Sequence, residues 1–284
     1  MIEKFDYSKI ENYDELRKLQ LTQIEILRVI HNFCMKNSIK YSIGYGNILG
    51  AVRHGGFIPW DDDLDICMLR NDYNKFIELW KDTDEYILQN HDTDRDFSQS
   101  FTKIRKRNTA FVQETDLGKN YHKGIFVDVF PFDRVPENKL RQKKQLLDAM
   151  LYNLFVREYI PTNNGSLMQL GSSLILKLSK KNKLPLKAKR YLKKICKYND
   201  NTNLKLVDMS VVNTMRMHYD KNLLDDIVDI KFEDTDVKVL KDYDSFLKIR
   251  YGNYMKLPPE EQQTWYHHPV YVSFNKEYGE DKLE

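Results

Sequence analysis

The sequence predicts an α/β protein in which a small mixed sheet is flanked by helices. Residues 14–36 place Leu16, Leu19, Ile26, Ile30 and Phe33 largely on one stripe at helical spacing. Residues 124–130, Gly-Ile-Phe-Val-Asp-Val-Phe, form the most strand-like run in the chain. Between them a short strand, a glycine turn and a helix lead into an Asp-x-Asp alternation. The 284 residues suit one large domain, read as a single unit over 1–284 with a basic helical insertion at 159–200. A hydrophobic content of 41% with 31% charged residues fits a globular protein and excludes a disordered one.

Residues 1–12 are expected to be an arm. The helix from Asp14 to Lys36 follows, its stripe interrupted by Gln23. Lys40 to Ile43 is a short strand and Gly44-Tyr45-Gly46 a turn. Asn47 then caps a helix. Glycines let backbone approach a phosphate, and a helix N-terminus offers free N–H groups, which makes Gly46 and Asn47 candidate nucleotide-binding residues.

The acidic run comes next: Ile58-Pro59-Trp60-Asp61-Asp62-Asp63-Leu64-Asp65-Ile66. Crowded carboxylates repel and raise each other's pKa, so something positive is expected to offset them. A strand over 63–66 would put Asp63 and Asp65 on one face and Leu64 and Ile66 on the other. The two carboxylates could then share a hard cation, Mg²⁺ or Mn²⁺, with water and substrate phosphates completing its shell. The chemistry suggested is phosphoryl or nucleotidyl transfer. Arg53, between the helix and this run, can meet a phosphate or pair with the aspartates. The layout of glycine turn, helix and Asp-x-Asp strand resembles the nucleotidyltransferases of the DNA polymerase beta type.

The next helix starts at Asn71 or Asp72 and uses Tyr73, Phe76, Ile77 and Trp80 as its apolar stripe. Tyr86 to Leu88 is a short strand. Gln99 to Lys106 alternates, with Lys103 and Arg105 on one strand face where they can neutralise phosphates. Thr109 to Val112 is expected to return as its hairpin partner through Arg107-Asn108. Asp128 sits inside the apolar run at 124–130, which is expensive unless it is paired or metal-bound. It is the natural third carboxylate beside Asp63 and Asp65. Glu137 to about Tyr159 is helical.

From Tyr159 to Asn199 there is no Asp or Glu, while ten lysines and arginines interleave with leucines, with a break expected at Pro185. The chain's net charge is +3, so the remainder outside those ten is −7. Such a stretch suits the surface of an anionic membrane or a solvated basic hairpin; no nucleic-acid-reading motif accompanies it. Two strands around Asp234-Thr235 and a helix from Tyr243 to Tyr251, closed by Gly252, follow. Trp265-Tyr266-His267-His268-Pro269 is an aromatic and histidine cluster. Cys34, Cys67 and Cys196 are unpaired in spacing and suit a reducing, cytoplasmic setting. No apolar run approaches the roughly 20 residues of a membrane span.

The segment from Gly46 through Ile66 closely resembles the LicD family of phosphocholine transferases, of which the fukutin-related transferases are distant members. The resemblance continues through Lys103-Ile104-Arg105, Phe126 to Pro131 and Tyr251 to Pro259. It implies a CDP-choline or other CDP-alcohol donor, transfer of phosphocholine, CMP as leaving group and a lipid-linked glycan acceptor such as a teichoic acid precursor. The enzyme would work in the cytoplasm, at the inner face of the membrane. Asp63, Asp65 and Asp128 would hold the metal, and Asp61 would be a partner of theirs or the base. Trp60 and Trp265 offer aromatic faces to a quaternary ammonium, and His268 could orient a substrate group. The chain departs from the family at Asn47, where Ser or Thr is usual.

Overall fold

A computed structural model describes residues 10–159 and 166–279. Most of the expected arm lies outside them. Helix α1 (Tyr13–Lys36) is followed by β1 (Ser42–Ile43), α2 (Tyr45–His54), β2 (Asp65–Leu69), α3 (Arg70–Leu79) and β3 (Tyr86–Gln89). Then come β4 (Thr102–Lys106), β5 (Ala110–Val112), β6 (Phe126–Val135) and α4 (Lys139–Arg157). The basic stretch folds as α5 (Ser166–Lys177) and α6 (Leu184–Ile195). The chain closes with β7 (Lys205–Asp208), β8 (Ile227–Phe232), β9 (Thr235–Leu240), α7 (Tyr243–Tyr251) and β10 (Tyr271–Ser273).

The main sheet is mixed and runs β1-β2-β6-β4-β3, with β7 also on β6. Only β2 and β6 pair in parallel; the other pairs are antiparallel. All ten residues of β6 are buried; its apolar residues enter the core, and its charged ones are paired, Asp128 with Lys103, Asp133 with Arg70 and Arg134 with backbone carbonyls. One edge of β6 is shared: β4 pairs with Phe126 to Val129, and β7 with Phe132 to Val135. Pro131 falls in the gap. Asp128 sends its N–H to Leu64 on the β2 side, so alternation turns position 131 to the other edge, where neither neighbour needs a donor. Helix α1 packs on β4 and β6, and α3 on β2 and β6. The core joins Leu16, Leu27, Ile30, Ile43, Ile66, Ile104, Val127 and Val129, all essentially inaccessible.

Several expectations are corrected. Strand β5 does not return against β4. It pairs with β10 from the far end of the chain, because β4 already has β3 and β6 on its two edges. Asn108 does occupy the left-handed region expected of a turn residue. Asn47 is not a helix cap: α2 begins at Tyr45, with Gly44 as N-cap. Regular pairing of the acidic strand starts at Asp65, so Asp63 lies in the extended loop before it. Pro185 does not break a helix but stands in the first turn of α6, where its missing N–H is harmless. The β8–β9 turn is Glu233-Asp234, one residue earlier than expected.

Helix α2 crosses the returning chain closely. A Cβ on Gly50 would lie 2.3 Å from the Gly56 carbonyl oxygen and 3.0 Å from the Ile58 nitrogen, both backbone atoms that cannot yield. Gly50→Ala should therefore lower unfolding free energy in a denaturant titration by about 1–3 kcal/mol. Gly171 on α5 has open space around it, so Gly171→Ala should be stabilising by about 0.5–1 kcal/mol.

Candidate active site

Three neighbouring strands bring the central groups together. Asp65 on β2 is in register with Asp128 on β6, and Asp128 with Lys103 on β4. In a sheet, residues in register on adjacent strands project from the same face, so the three side chains form one row. Lys103 Nζ donates to both oxygens of Asp128, at 2.6 and 2.9 Å, and sits 3.2 Å from the Phe126 ring centroid. Lys103, Asp65 and Asp128 are all at most 9% exposed. Removing one partner of so buried a pair typically costs about 3–5 kcal/mol.

The acidic loop is held by its backbone, which leaves its carboxyls crowded. Gln20 and Gln23 of α1 donate to the carbonyls of Asp61 and Asp62 at 2.9 and 3.0 Å. Asn47 is fully buried. Its Nδ2 donates to the Asp63 carbonyl at 3.2 Å and its Oδ1 accepts the Asp65 N–H at 2.6 Å. The amide supplies its donor and its acceptor on separate atoms, so one side chain meets both groups. Asn47 thus positions the loop instead of facing a phosphate. Gly46 likewise accommodates its own chain: a Cβ there would meet Asp61 Oδ2 at 2.9 Å.

Asp62 is held by His267. Its oxygens accept the His267 N–H at 2.9 Å and lie 3.0 Å from His267 Nδ1, which is also 3.8 Å from Asp63 Oδ2. Burial alone would lower the His267 pKa, but the Asp62 hydrogen bond and the Asp63 charge outweigh it and raise it. Burial pushes the carboxyl of Asp61 well up, with Asp63 and Asp62 adding to the shift. Burial, then Asp63 and Asp128, do the same for Asp65, and burial raises Asp63 against the pull of His267. Burial lowers the Lys103 ammonium despite Asp128.

Other expected site residues are placed elsewhere. Arg53 is buried, donating to the Tyr254 carbonyl at 2.7 Å and to His54 at 2.9 Å. Arg105 donates to Gln89 and to the Gly124 carbonyl. Trp265 donates its indole N–H to the Glu11 carbonyl at 3.0 Å and, with His268, lines a groove beside Glu15 and Gln263. Trp60 is buried edge-on to the His54 ring. His267, not His268, reaches the aspartates, and no sequence signal separates the two. Helix α7 adds Arg250, 5.0 Å from the Tyr45 ring centroid, and Tyr45 donates to the buried Asp208 at 2.6 Å.

The donor set fits a hard cation. Asp61 Oδ2 is buried without a hydrogen-bond partner, and Asp63 and Asp65 add further carboxylate oxygens beside it. Among the described residues no three His, Cys, Asp or Glu side chains are grouped so that together they could hold a metal ion. A cation of the Mg²⁺ kind needs only one or two carboxylates, with water and phosphate oxygens completing its octahedron.

The raised carboxyls make a testable demand. Each binds its proton more tightly folded than unfolded. Its stabilising contribution is therefore present below the reference value of 3.8 and is lost as pH rises through the folded value. At neutral pH, without divalent ions, Asp65→Asn should melt higher than the parent protein, by about 2–4 °C per kcal/mol relieved. Added MgCl₂ should raise the parent's melting temperature and narrow the gap. A lower-melting variant, with neither protein responding to MgCl₂, would refute this.

Residues 38–170 match the family described as LicD/FKTN/FKRP, nucleotidyltransferase domain. The lipopolysaccharide cholinephosphotransferase LicD of Haemophilus influenzae is 30% identical over 262 residues, covering 89% of this chain and 96% of that protein. An uncharacterized protein of Rickettsia typhi is 39% identical over 72 residues, 25% of this chain and 23% of its own length. An uncharacterized protein of Rickettsia prowazekii is 42% identical over 64 residues, 22% of this chain and 24% of its own length. On the length and identity of the Haemophilus match, and on the motifs that the family model spans, the chain belongs to the LicD family.

Proposed function

We propose that this chain transfers phosphocholine from CDP-choline to a sugar hydroxyl of a lipid-linked cell-surface glycan, such as a teichoic acid precursor, and releases CMP. The observation that carries it is the row of Lys103, Asp128 and Asp65 beside the Asp61 to Asp63 loop. The phosphocholine group and a glycan acceptor are supported by the Haemophilus relative, whose name describes a cholinephosphotransferase acting on lipopolysaccharide. A nucleotidyltransferase-type fold is supported by the mixed sheet and by the description of the matched family. The reaction is assigned to the cytoplasmic side of the membrane, where nucleotide-activated donors are made.

The acceptor oxygen forms a bond to the phosphorus bearing choline as the bond from that phosphorus to the bridging oxygen breaks. CMP leaves with the electron pair. Asp61 takes the hydroxyl proton, since burial and its acidic neighbours raise its proton affinity. Lys103, fixed on Asp128, holds positive charge against the pyrophosphate. His267 holds the buried Asp62 by two hydrogen bonds, and its proton affinity is raised by Asp62 and Asp63. Asp63 and Asp65 are the residues that would hold Mg²⁺ or Mn²⁺, which when bound would offset charge on the leaving group; Asp128, expected as a third ligand, has both oxygens engaged by Lys103.

Nucleotidyl transfer is the second reading, favoured by the description of the matched domain. The two differ in the phosphorus attacked. Purified protein incubated with phosphorus-labelled CDP-choline and a glycan acceptor should release CMP and move choline phosphate, only with a divalent ion present. Asp63→Asn and Asp65→Asn should each lower turnover by about a hundredfold or more. Pyrophosphate release from CTP, or label moving with cytidine onto the acceptor, would establish the second reading instead.

A further inference from the structure

Helix α5 turns an apolar stripe outward. Leu170 and Leu174 of α5, and Leu178 just past its end, are 69%, 59% and 77% exposed at four-residue intervals; the Leu178 N–H still bonds the Leu174 carbonyl, so the three continue one face. Leu186, at the start of α6, is 72% exposed. Between them Lys177, Lys180, Lys181 and Lys183 all face solvent. The opposite side of the hairpin is anchored. Leu184 and Ala188 of α6 pack on Phe155 and Val156 of α4, and Ile175 and Leu176 of α5 join the same cluster. Lys189 and Lys194 are engaged inside the chain, with Asp92 and Asp148. The exposed leucines are therefore presented on a docked platform, in a stretch that contains no Asp or Glu from Tyr159 to Asn199.

We propose that this face docks the protein onto an anionic lipid surface, with the leucines entering the headgroup boundary and the lysines meeting the anionic heads. The occupant must be apolar and negatively charged within one helix length. A lipid interface offers both; a nucleic acid offers no apolar phase. Among the described residues no helix is long and apolar enough to cross a membrane, and the contact proposed lies along the surface.

The test uses the full chain and no substrate, so its outcome is separate from that of the transfer reaction. At low salt the protein should co-sediment with phosphatidylcholine vesicles that contain phosphatidylglycerol, and not with phosphatidylcholine alone. The combined change Leu170→Ser, Leu174→Ser and Leu178→Ser should weaken the partition by about tenfold or more. Lys180→Gln, Lys181→Gln and Lys183→Gln, in an exposed loop, should do likewise and serve if the leucine variant melts lower than the parent. Parent protein that ignores both vesicles overturns the proposal, as do variants that bind like the parent. A leucine variant that turns a dimer into a monomer while leaving vesicle binding unchanged overturns it in favour of contact between two copies.

Discussion

Four carboxylates within five residues cannot hold themselves in place, since each repels the others and burial penalises every charge. The protein fixes the backbone that carries them instead. Three amides grip the loop at Asp61, Asp62, Asp63 and Asp65: Gln20 and Gln23 from α1, and Asn47 from α2. The sheet then supplies the charge pattern, with Lys103 locked on Asp128 beside Asp65. The division is between neutral side chains that set position and charged ones left for chemistry. Amides suit the first task because they hydrogen-bond without adding to the electrostatic load.

The C-terminal segment completes the site from a distance. His267 hydrogen-bonds Asp62 and packs its ring edge-to-face with Phe111 and Phe126, while Arg53 reaches the Tyr254 carbonyl. Strand β10 on β5 brings this segment back over the sheet. Residues far apart in sequence thus hold one another in place around the acidic loop. The LicD-like motifs near both ends of the chain are parts of one physical unit.

Much of this was legible in the sequence where the signal was local. The stripe of α1, the apolar run around Asp128 and Gly252 closing α7 are patterns within a few residues; α1 and Gly252 are found where expected, and the strand through Asp128 runs on past the expected Phe130 to Val135, taking in Asp133. What failed was choice of partner. Arg107-Asn108 looks like a hairpin turn and does turn, yet β5 pairs with a strand some 160 residues on. Arg53 and Arg105 carry the right charge for phosphate, but backbone carbonyls claim them. Gln23 read as an interruption of an apolar stripe; it is the residue that meets the acidic loop. His267 and His268 are adjacent and chemically identical, so only the course of the tail separates them.

The seam at Pro131 has an architectural consequence. Everything from α4 through α6 is spliced between β6 and β7, and both ends of that excursion attach downstream of residue 131. The half of β6 that carries Asp128 is zipped to β2 and β4 before the seam and shares no edge with β7. The excursion can lengthen, shorten or change its surface chemistry without shifting the register that aligns Asp128 with Asp65. A proline that looks like a flaw in a central strand works as an expansion joint, separating the part of the sheet that must stay fixed from the part that is free to diverge.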